Sequence, residues 1–303
     1  MGEQKVPSYP ELGKLARDLF RRGYHPGIWQ IETKTLTSSG IELLSSGFAN
    51  HDNTKVNGML QSKYKMEDQG LTLSEGWNTD KWLFGEIMHK DKLAEGLTLA
   101  LAGRYQPAFN ELEGKFKVGF VQEKFHILAD TGLHSQPILN ASLVVAQDEF
   151  LGGVGCEFDI SNVNFSGWKV ALGYAKEPAT VHAELRNGGS WLASLFYKVN
   201  DQIDAAVEIA RAAILRTARN EENPEGQQEE VEVGGNTTVS LGMIYHVDEN
   251  ALIRAKVNSA KELGLGYEQK FGEGITASIS AVLDFGSFSS GNHRFGVGVA
   301  LQC

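Results

Sequence analysis

The 303-residue chain has no run of about 20 apolar residues, which argues against a membrane-spanning helix. It has only two cysteines, Cys156 and Cys303, and this number disfavours a disulfide-stapled secreted scaffold. Its 28 basic residues are outnumbered by 38 acidic ones, and the net charge of −10 argues against a general nucleic-acid binder. Proline is scarce at 7 residues, whereas the 34 glycines lack the three-residue period of collagen.

Sequence motifs for catalytic chemistry are missing as well. The chain has no nucleophile elbow, no phosphate-binding loop and no spaced cluster of metal ligands. The sequence therefore predicts no enzyme, no cofactor and no metal site. The first residues, MGEQKV, lack the apolar stretch of a signal peptide, so we expect any targeting information to lie elsewhere in the chain.

The strongest pattern in the chain is an alternation of apolar and polar residues with a period of two. From about residue 27 onward it forms segments of roughly 8–11 residues, joined by turn residues such as TSSG at 37–40 and GEG at 272–274. In the segment 96–105, Leu97, Leu99 and Leu101 share one face. Roughly eighteen to twenty such segments occur without an intervening helix. This pattern predicts an all-β antiparallel meander and excludes alternating βαβ units.

The second face of these segments distinguishes between the possible all-β folds. It is charged, small or glycine in nearly every segment, and aromatic residues recur near the segment ends. Apolar residues outside, polar residues inside and aromatic rims are typical of a transmembrane β-barrel. A large soluble β-sandwich or propeller that binds a small ligand remains the alternative, because its strands also alternate.

Residues 8–22 differ from the rest of the chain and predict an amphipathic helix. Ser8 and Glu11 have the spacing of a capping box, and Gly23 is suited to the C-cap. The predicted apolar stripe consists of Leu12, Leu15, Ala16 and Leu19. The helix is too short to span a bilayer. It lies either at a surface or inside a wide barrel, with its stripe on the wall.

Several local sequences make the whole chain resemble the voltage-dependent anion channels, the eukaryotic porins of mitochondria. They are YPELGK at 9–14, WNTD at 77–80, KVN at 198–200, and the stretch 245–267 with AKVN at 255–258 and LGLGY at 263–267. The resemblance implies a 19-stranded transmembrane β-barrel with an N-terminal amphipathic helix inside the pore. Residues 1–26 would form the N-terminal segment with its linker, and residues 27–303 the barrel.

The resemblance also implies a function. We expect a multi-pass barrel of the mitochondrial outer membrane, surrounded by its lipids, that passes ATP, ADP, small metabolites and ions under voltage control. Hexokinase and a second copy of the chain are the implied protein partners, and no nucleic acid is expected. A protein-import pore with the same barrel architecture is the alternative, although the stretch 245–267 argues against it.

The resemblance assigns pore and gating roles to the helix and its linker. The cationic side chains at the constriction would be Lys14, Arg17, Arg21 and Arg22, and the hinges would be Gly23 and Gly27. Pro26 restricts the residue before it, and the linker has fewer glycines than in the family, so the sequence argues against a freely moving hinge.

Glu75 is the exception on the apolar face. It alternates in phase with Leu73 and Trp77, which predicts a carboxylate that points toward lipid. Such a group costs on the order of a few kcal/mol unless it is protonated or partnered. The family has a glutamate at the matching position, and the resemblance implies a role for Glu75 in gating and in hexokinase association.

The barrel wall has its own candidate pore residues. Alternation places Thr98 on the lumen side, where the family often has a lysine. Lumen-facing cations predicted for selectivity are Lys115, Lys117, Arg254 and Lys256. By resemblance, Leu263, Gly264 and Leu265 would contact a nucleotide. The predicted lumen acids nearly balance the cations, which is unlike the strongly basic lumen that an anion-selective pore needs.

The stretch 217–235 is predicted to be a long acidic loop. It contains Glu221, Glu222, Glu225, Glu229, Glu230 and Glu232, with no basic residue after Arg219. If it precedes the fifteenth strand, it lies at the rim where the first strand begins. Carboxylates at one mouth attract cations within a Debye length of ~8–10 Å, so the sequence predicts a weakened anion preference or a cation preference.

Overall fold

The structure is a computed structural model that describes residues 5–51, 54–218, 229–286 and 293–302, without the side chains of 214–218 and 229–233. The alternating segments form nineteen strands. Strands β1 to β10 are Ile28–Leu36, Ile41–Asn50, Val56–Met66, Leu71–Asn78, Leu83–Lys90, Leu97–Gln106, Glu111–Val121, Phe125–Gly132, Ile138–Gln147 and Phe150–Asp159. Strands β11 to β19 are Asn164–Lys176, Ala179–Arg186, Trp191–Lys198, Ile203–Ala218, Glu229–His246, Ala251–Asn258, Glu262–Phe271, Ile275–Asp284 and Arg294–Gln302.

The nineteen strands form one closed sheet. Each strand pairs antiparallel with the next along the chain, and β1 closes the barrel by pairing parallel with β19, from Trp29 opposite Val297 to Lys34 opposite Gln302. The closing pair is parallel because an odd number of strands makes the first and last run in the same direction. The predicted meander and strand number are confirmed, and the single closed sheet excludes the β-sandwich.

The register of the strands divides the wall into two faces, because residues directly opposite each other share a face. Val144, Ala171 and Ala206 are buried beneath the N-terminal segment and so mark the lumen side. The opposite side presents Leu101, Val170 and Ile279, all largely exposed, along with most other large apolar side chains of the strands. The predicted arrangement of apolar residues outside and polar residues inside is therefore correct.

The chain enters and leaves the barrel at different rims. We call the rim where β1 begins the N-terminal rim and the rim where β19 ends the C-terminal rim. Odd-numbered strands run from the N-terminal to the C-terminal rim, and even-numbered strands run back. β14 therefore ends and β15 begins at the N-terminal rim, as predicted from the parity of the meander.

The N-terminal segment lies inside the barrel as two short helices. A 3-10 turn at Tyr9–Glu11 precedes α1 at Lys14–Arg21, so the prediction of one continuous helix over 8–22 is wrong. Gly13 separates them with φ +66, and a Cβ there would lie 2.5 Å from Nδ1 of His182. A side chain at this position would therefore meet both backbone strain and the wall. Among the described residues, no helix is both long and apolar enough to cross a membrane.

The buried face of the N-terminal segment differs from the predicted stripe at one position. Ala16, Leu19 and Phe20 are buried on α1, whereas Leu15, which was predicted to be part of the stripe, is 52 % exposed. The buried residues Leu12, Ala16, Leu19 and Phe20 keep the spacing i, i+4, i+7 and i+8 of one helical face, and Leu15 lies at the edge of that face. Phe20 therefore takes the place expected of Leu15.

The predicted loop at 217–235 is largely strand where it is described. β14 continues to Ala218 and β15 begins at Glu229, and these two residues are paired with each other. The prediction of a loop is thus wrong for 217–218 and 229–235. Glu229, Glu230 and Glu232 belong to β15, whereas Glu221, Glu222 and Glu225 lie outside the described residues.

Candidate pore and selectivity site

The first part of the N-terminal segment packs against β9 to β11. Val6, Tyr9 and Leu12 form a buried cluster with Val144 and Ala171. A Cβ on Gly153 would lie 2.9 Å from Cδ1 of Leu12, so the small residues of the wall admit the segment. Nδ1 of the His126 ring donates to the Val6 carbonyl over 3.0 Å. These contacts hold the start of the segment on the lumen wall.

α1 packs against β13 to β15 in the same way. Leu19 and Phe20 contact Ala206 and Ile244, and a Cβ on Gly242 would lie only 2.4 Å from Cδ2 of Leu19. The wall therefore has a shallow cradle where the helix lies. Because close packing leaves few voids, a larger residue at position 242 would displace the helix.

Two predicted selectivity cations hold the end of α1. Nζ of Lys256 donates to the Phe20 carbonyl over 2.6 Å and lies 4.0 Å from the centre of the Tyr24 ring. A cation at a helix C-terminus satisfies a carbonyl that has no partner within the helix. Arg254 is buried behind Gly23 and lies 3.7 Å from Glu268. Both cations face the lumen side, as predicted, but the N-terminal segment covers them.

The linker is anchored to the end of the sheet. Gly23 and Gly27, the predicted hinges, have φ angles of +79 and +74. The His25 amide donates to Oγ of Ser280 over 2.8 Å, and the Gly27 amide donates to the Phe295 carbonyl over 2.9 Å. Tyr24 is buried, and burial raises its pKa to about 12. The left-handed backbone is present at both hinges, and the residues between them are bound to the wall.

The cationic side chains of α1 differ in their surroundings. Lys14, Arg21 and Arg22 are exposed, whereas Arg17 folds back along the segment. Its guanidinium donates to the carbonyls of Pro10 and Leu12, at 2.5 and 3.4 Å. Arg17 therefore satisfies the carbonyls of the 3-10 turn, and the other three cations are the ones presented to the pore.

Several cations of the lumen wall that the helix leaves uncovered lie in ion pairs. Lys117 lies 2.7 Å from Glu86, and Lys115 lies 2.7 Å from Asp130. Arg104 pairs with Glu113 in the same region of the wall. The predicted selectivity residues Lys115 and Lys117 thus face the lumen, but each is beside a carboxylate that offsets its charge.

Register and alternation place equal numbers of cationic and acidic residues on the lumen face, counted over the strand residues whose side chains the structure describes. The fourteen cations are Lys34, Lys63, Lys65, Lys90, Arg104, Lys115, Lys117, Lys169, Arg186, Lys198, Arg254, Lys256, Lys270 and Arg294. The fourteen acids are Glu32, Glu42, Glu86, Glu111, Glu113, Asp130, Glu157, Asp159, Glu184, Asp204, Glu208, Glu262, Glu268 and Asp284. The N-terminal segment adds Lys5 and the four helix cations against Glu11 and Asp18. The surplus of positive charge in the described lumen therefore belongs to that segment.

Thr98 and the expected nucleotide residues have different positions on the wall. Thr98 lies on the lumen face, opposite Gly119 and Lys90. Gly264 also faces the lumen, beside Tyr24 and Lys256. Leu263 and Leu265 alternate with Gly264, and the register places them on the outer face. Of the three nucleotide residues, only Gly264 faces the lumen, and there it is buried beneath Tyr24 and the Lys256 side chain.

Glu75 lies on the outer face and is exposed, as its alternation predicts. Oγ of Ser62, on the neighbouring strand, donates to its Oε1 over 3.3 Å. Gly85 is directly opposite on the other side. The carboxylate therefore has one neutral donor among apolar neighbours such as Leu73 and Trp77.

Some residues that position the N-terminal segment were not singled out by sequence analysis. His182 is 4 % exposed beneath Gly13, and Phe20 and Tyr24 are buried on the segment itself. Alternation on β12 places His182 in the lumen, so its side of the wall was predictable. Its burial was not, because that depends on where the helix lies.

A wide closed barrel with an apolar outer face, a charged lumen and an internal helix is a membrane-spanning pore. The family model described as eukaryotic porin matches residues 5–296, and the chain belongs to that family. It is 37 % identical over 297 residues to a voltage-dependent anion-selective channel of Drosophila melanogaster, covering 98 % of this chain and 99 % of the relative.

Two vertebrate relatives are similar over nearly their whole length. The non-selective voltage-gated ion channel VDAC1 of Rattus norvegicus is 34 % identical, with 98 % of each chain covered. The corresponding VDAC2 of Xenopus laevis is 32 % identical, with 98 % of this chain and 99 % of the relative covered. The fold and these relatives identify the chain as a passive channel of the voltage-gated porin type that passes ions and metabolites, and not as an enzyme.

Proposed function

We propose that this channel lies in the mitochondrial outer membrane and passes ATP, ADP, small metabolite anions and inorganic ions, with a weakened anion preference. The family match, the internal helix and the names of the relatives support this function. The relatives include channels named anion-selective and channels named non-selective, so membership in the family leaves the selectivity to be argued from this chain.

The balance of charge in the lumen is the observation that carries the proposal. The wall has as many acids as cations, and several face each other as close pairs. The surplus cations, Lys14, Arg21 and Arg22, are exposed on one helix. Anion preference then depends on the cations of the N-terminal segment, and the glutamates at the start of β15 counteract it at the N-terminal rim.

The reversal potential across a salt gradient tests this proposal in planar bilayers. Replacing Lys14, Arg21 and Arg22 with glutamine should move the reversal potential toward the equilibrium potential of the cation, because the charges that remain in the lumen are balanced. The matched control removes one pair, Lys115→Gln with Asp130→Asn, and should leave the potential unchanged. Strong anion selectivity that survives the helix substitutions would contradict the proposal.

The acidic stretch 217–235 has its own test. Glutamine at the six glutamates of 221–232 should increase anion preference, with the larger change at low salt, where charges act over a longer distance. If the variant and the unaltered channel have the same reversal potential at low salt and at high salt, these carboxylates do not act on the permeating ions.

We further propose that Glu75 contributes to gating and to binding of hexokinase or of a second copy of the channel. An exposed carboxylate on the apolar outer face is costly in lipid, so its presence favours a functional role. Glu75→Gln should leave the barrel folded and change voltage gating or partner binding. Ser62→Ala, which removes the neutral donor, is the matched control. Identical gating and binding in the Glu75→Gln channel would exclude the role.

A further inference from the structure

Two strands of the barrel are much longer than the others. β14 has 16 residues and β15 has 18, whereas the remaining strands have 8 to 13. β13 pairs with β14 only up to Arg211, and β16 pairs with β15 only from Ser240. Residues 212–218 and 229–238 thus form a two-stranded ribbon beyond the N-terminal rim. We call it the β14–β15 ribbon.

The outer edge of β15 in this ribbon is open. The Val239 amide donates to Oγ of Ser259 over 3.1 Å, and the Val239 carbonyl accepts from the Ser259 amide over 2.8 Å. The backbone of Val239 therefore points toward β16. Alternation points the amides of Thr237 and Gly235 in the same direction, beyond the end of β16.

The hydrogen bonds of β14 independently indicate the same direction for the β15 amides. The Ala213 amide donates to Oγ of Ser190, away from β15, and Ala213 is opposite Gly235. The register shifts by one residue between Ile214 and Leu215, after which Leu215 is opposite Glu232. The amides of Glu232 and Glu230 therefore also point outward. Within the described part of the chain, no strand pairs with this edge.

The sequence gives this edge a negative charge. Glu229, Glu230 and Glu232 lie in β15, and the chain has no lysine or arginine between Arg219 and Arg254. The other edge of the ribbon belongs to β14, which has Arg216. The two edges therefore differ in sign, and a strand that pairs with β15 gains most when it is basic.

We propose that the outer edge of β15, residues 229–238, binds an extended basic segment of a partner protein by strand addition. An unpaired strand edge is a template for a further strand, with affinity from backbone hydrogen bonds and specificity from side chains. Glu230, Glu232, Gly235 and Thr237 would supply the backbone groups, and the three glutamates would select lysine and arginine. The bound segment would lie beside the pore mouth. This inference is independent of the permeating solutes.

Hydrogen exchange on the full-length channel in nanodiscs of neutral phosphatidylcholine tests the proposal. The probe is a synthetic nine-residue peptide of alternating lysine and valine. It should slow exchange of the outward amides of β15, most clearly at Gly235 and Thr237. A second peptide with the same lysines, but with proline in place of valine, keeps the charge and cannot pair as a strand. It should protect none of these amides.

Substitutions at Thr237 separate strand addition from simple charge attraction. Thr237→Pro removes an outward amide without removing a bond to β14, and it should weaken binding of the lysine–valine peptide about fivefold, the effect of roughly one hydrogen bond. Thr237→Val keeps the amide and should bind as the unaltered channel does. Absence of protection, or equal protection by the proline peptide or by a glutamate–valine peptide, would overturn the proposal.

Discussion

The lumen wall consists of a region covered by the N-terminal segment and an uncovered region. Both have the same alternating pattern, but their lumen-facing residues have different roles. Under the N-terminal segment, glycine and alanine make room for apolar side chains, and Arg254 and Lys256 are covered. On the uncovered region, Lys115 and Lys117 reach into the pore and pair with carboxylates. Alternation assigns a residue to the lumen, but what it does there depends on whether the helix lies over it.

The largest effect should come from filling the cradle in the covered region. Gly242→Val would place side-chain atoms where Leu19 now lies, and we expect α1 to leave the wall. Hydrogen exchange of residues 14–21 should then increase by at least an order of magnitude, with altered voltage gating. Gly152→Val, on the outer face with open space around its Cβ, is the matched control. A helix that stays protected in the Gly242→Val channel would show that the cradle is unimportant.

A smaller effect is expected from a cation of the covered region. Lys256→Met keeps much of the side chain's apolar length and removes the bond to the Phe20 carbonyl. A hydrogen bond to a charged group contributes about 1.5–3 kcal/mol, so exchange at the end of α1 should rise by roughly tenfold or more. Lys63→Met makes the same change of charge on the uncovered wall and should leave α1 exchange as it was. If the two variants have the same exchange rates in α1, the bond from Lys256 does not hold the end of the helix.

The smallest effect concerns the start of the segment. The Ser8 amide donates to the Glu11 carboxylate over 2.7 Å, and this bond holds the Glu11 pKa below its usual value of 4.5. A lowered pKa stabilises the folded segment at pH values above 4.5, and this stabilisation is lost as pH falls through the lowered pKa. The NMR shift of the Ser8 amide should follow that titration. In the Glu11→Gln variant the NMR shift of the Ser8 amide should be independent of pH. If the shift still titrates, another group is responsible for the titration.

Much of the fold was predictable because each strand repeats the same two-faced pattern. The outward position of Glu75 and the lumen positions of Lys115 and Thr98 follow from alternation alone. The exposed Leu15 was not predicted, because Leu15 and Phe20 flank the same apolar stripe and the sequence pattern does not show which of the two the wall covers. The extended β14 and β15 were missed because acids, glycine and asparagine at 229–236 disfavour strands, whereas pairing with β14 overrides that preference. Lys256 looked like a free pore cation because its partner is a backbone carbonyl from the distant helix.

The seam between β1 and β19 has a consequence for folding kinetics. Its register joins Trp29 to Val297, positions near the two ends of the chain, so nearly the whole polypeptide must be ordered before the ring closes. The amides of His25 and Gly27 bind Ser280 and Phe295 in the last two strands. The linker therefore reaches its final anchor only when those strands are in place. Closure of the ring and tethering of the internal helix should appear as one late step, after the rest of the sheet has formed.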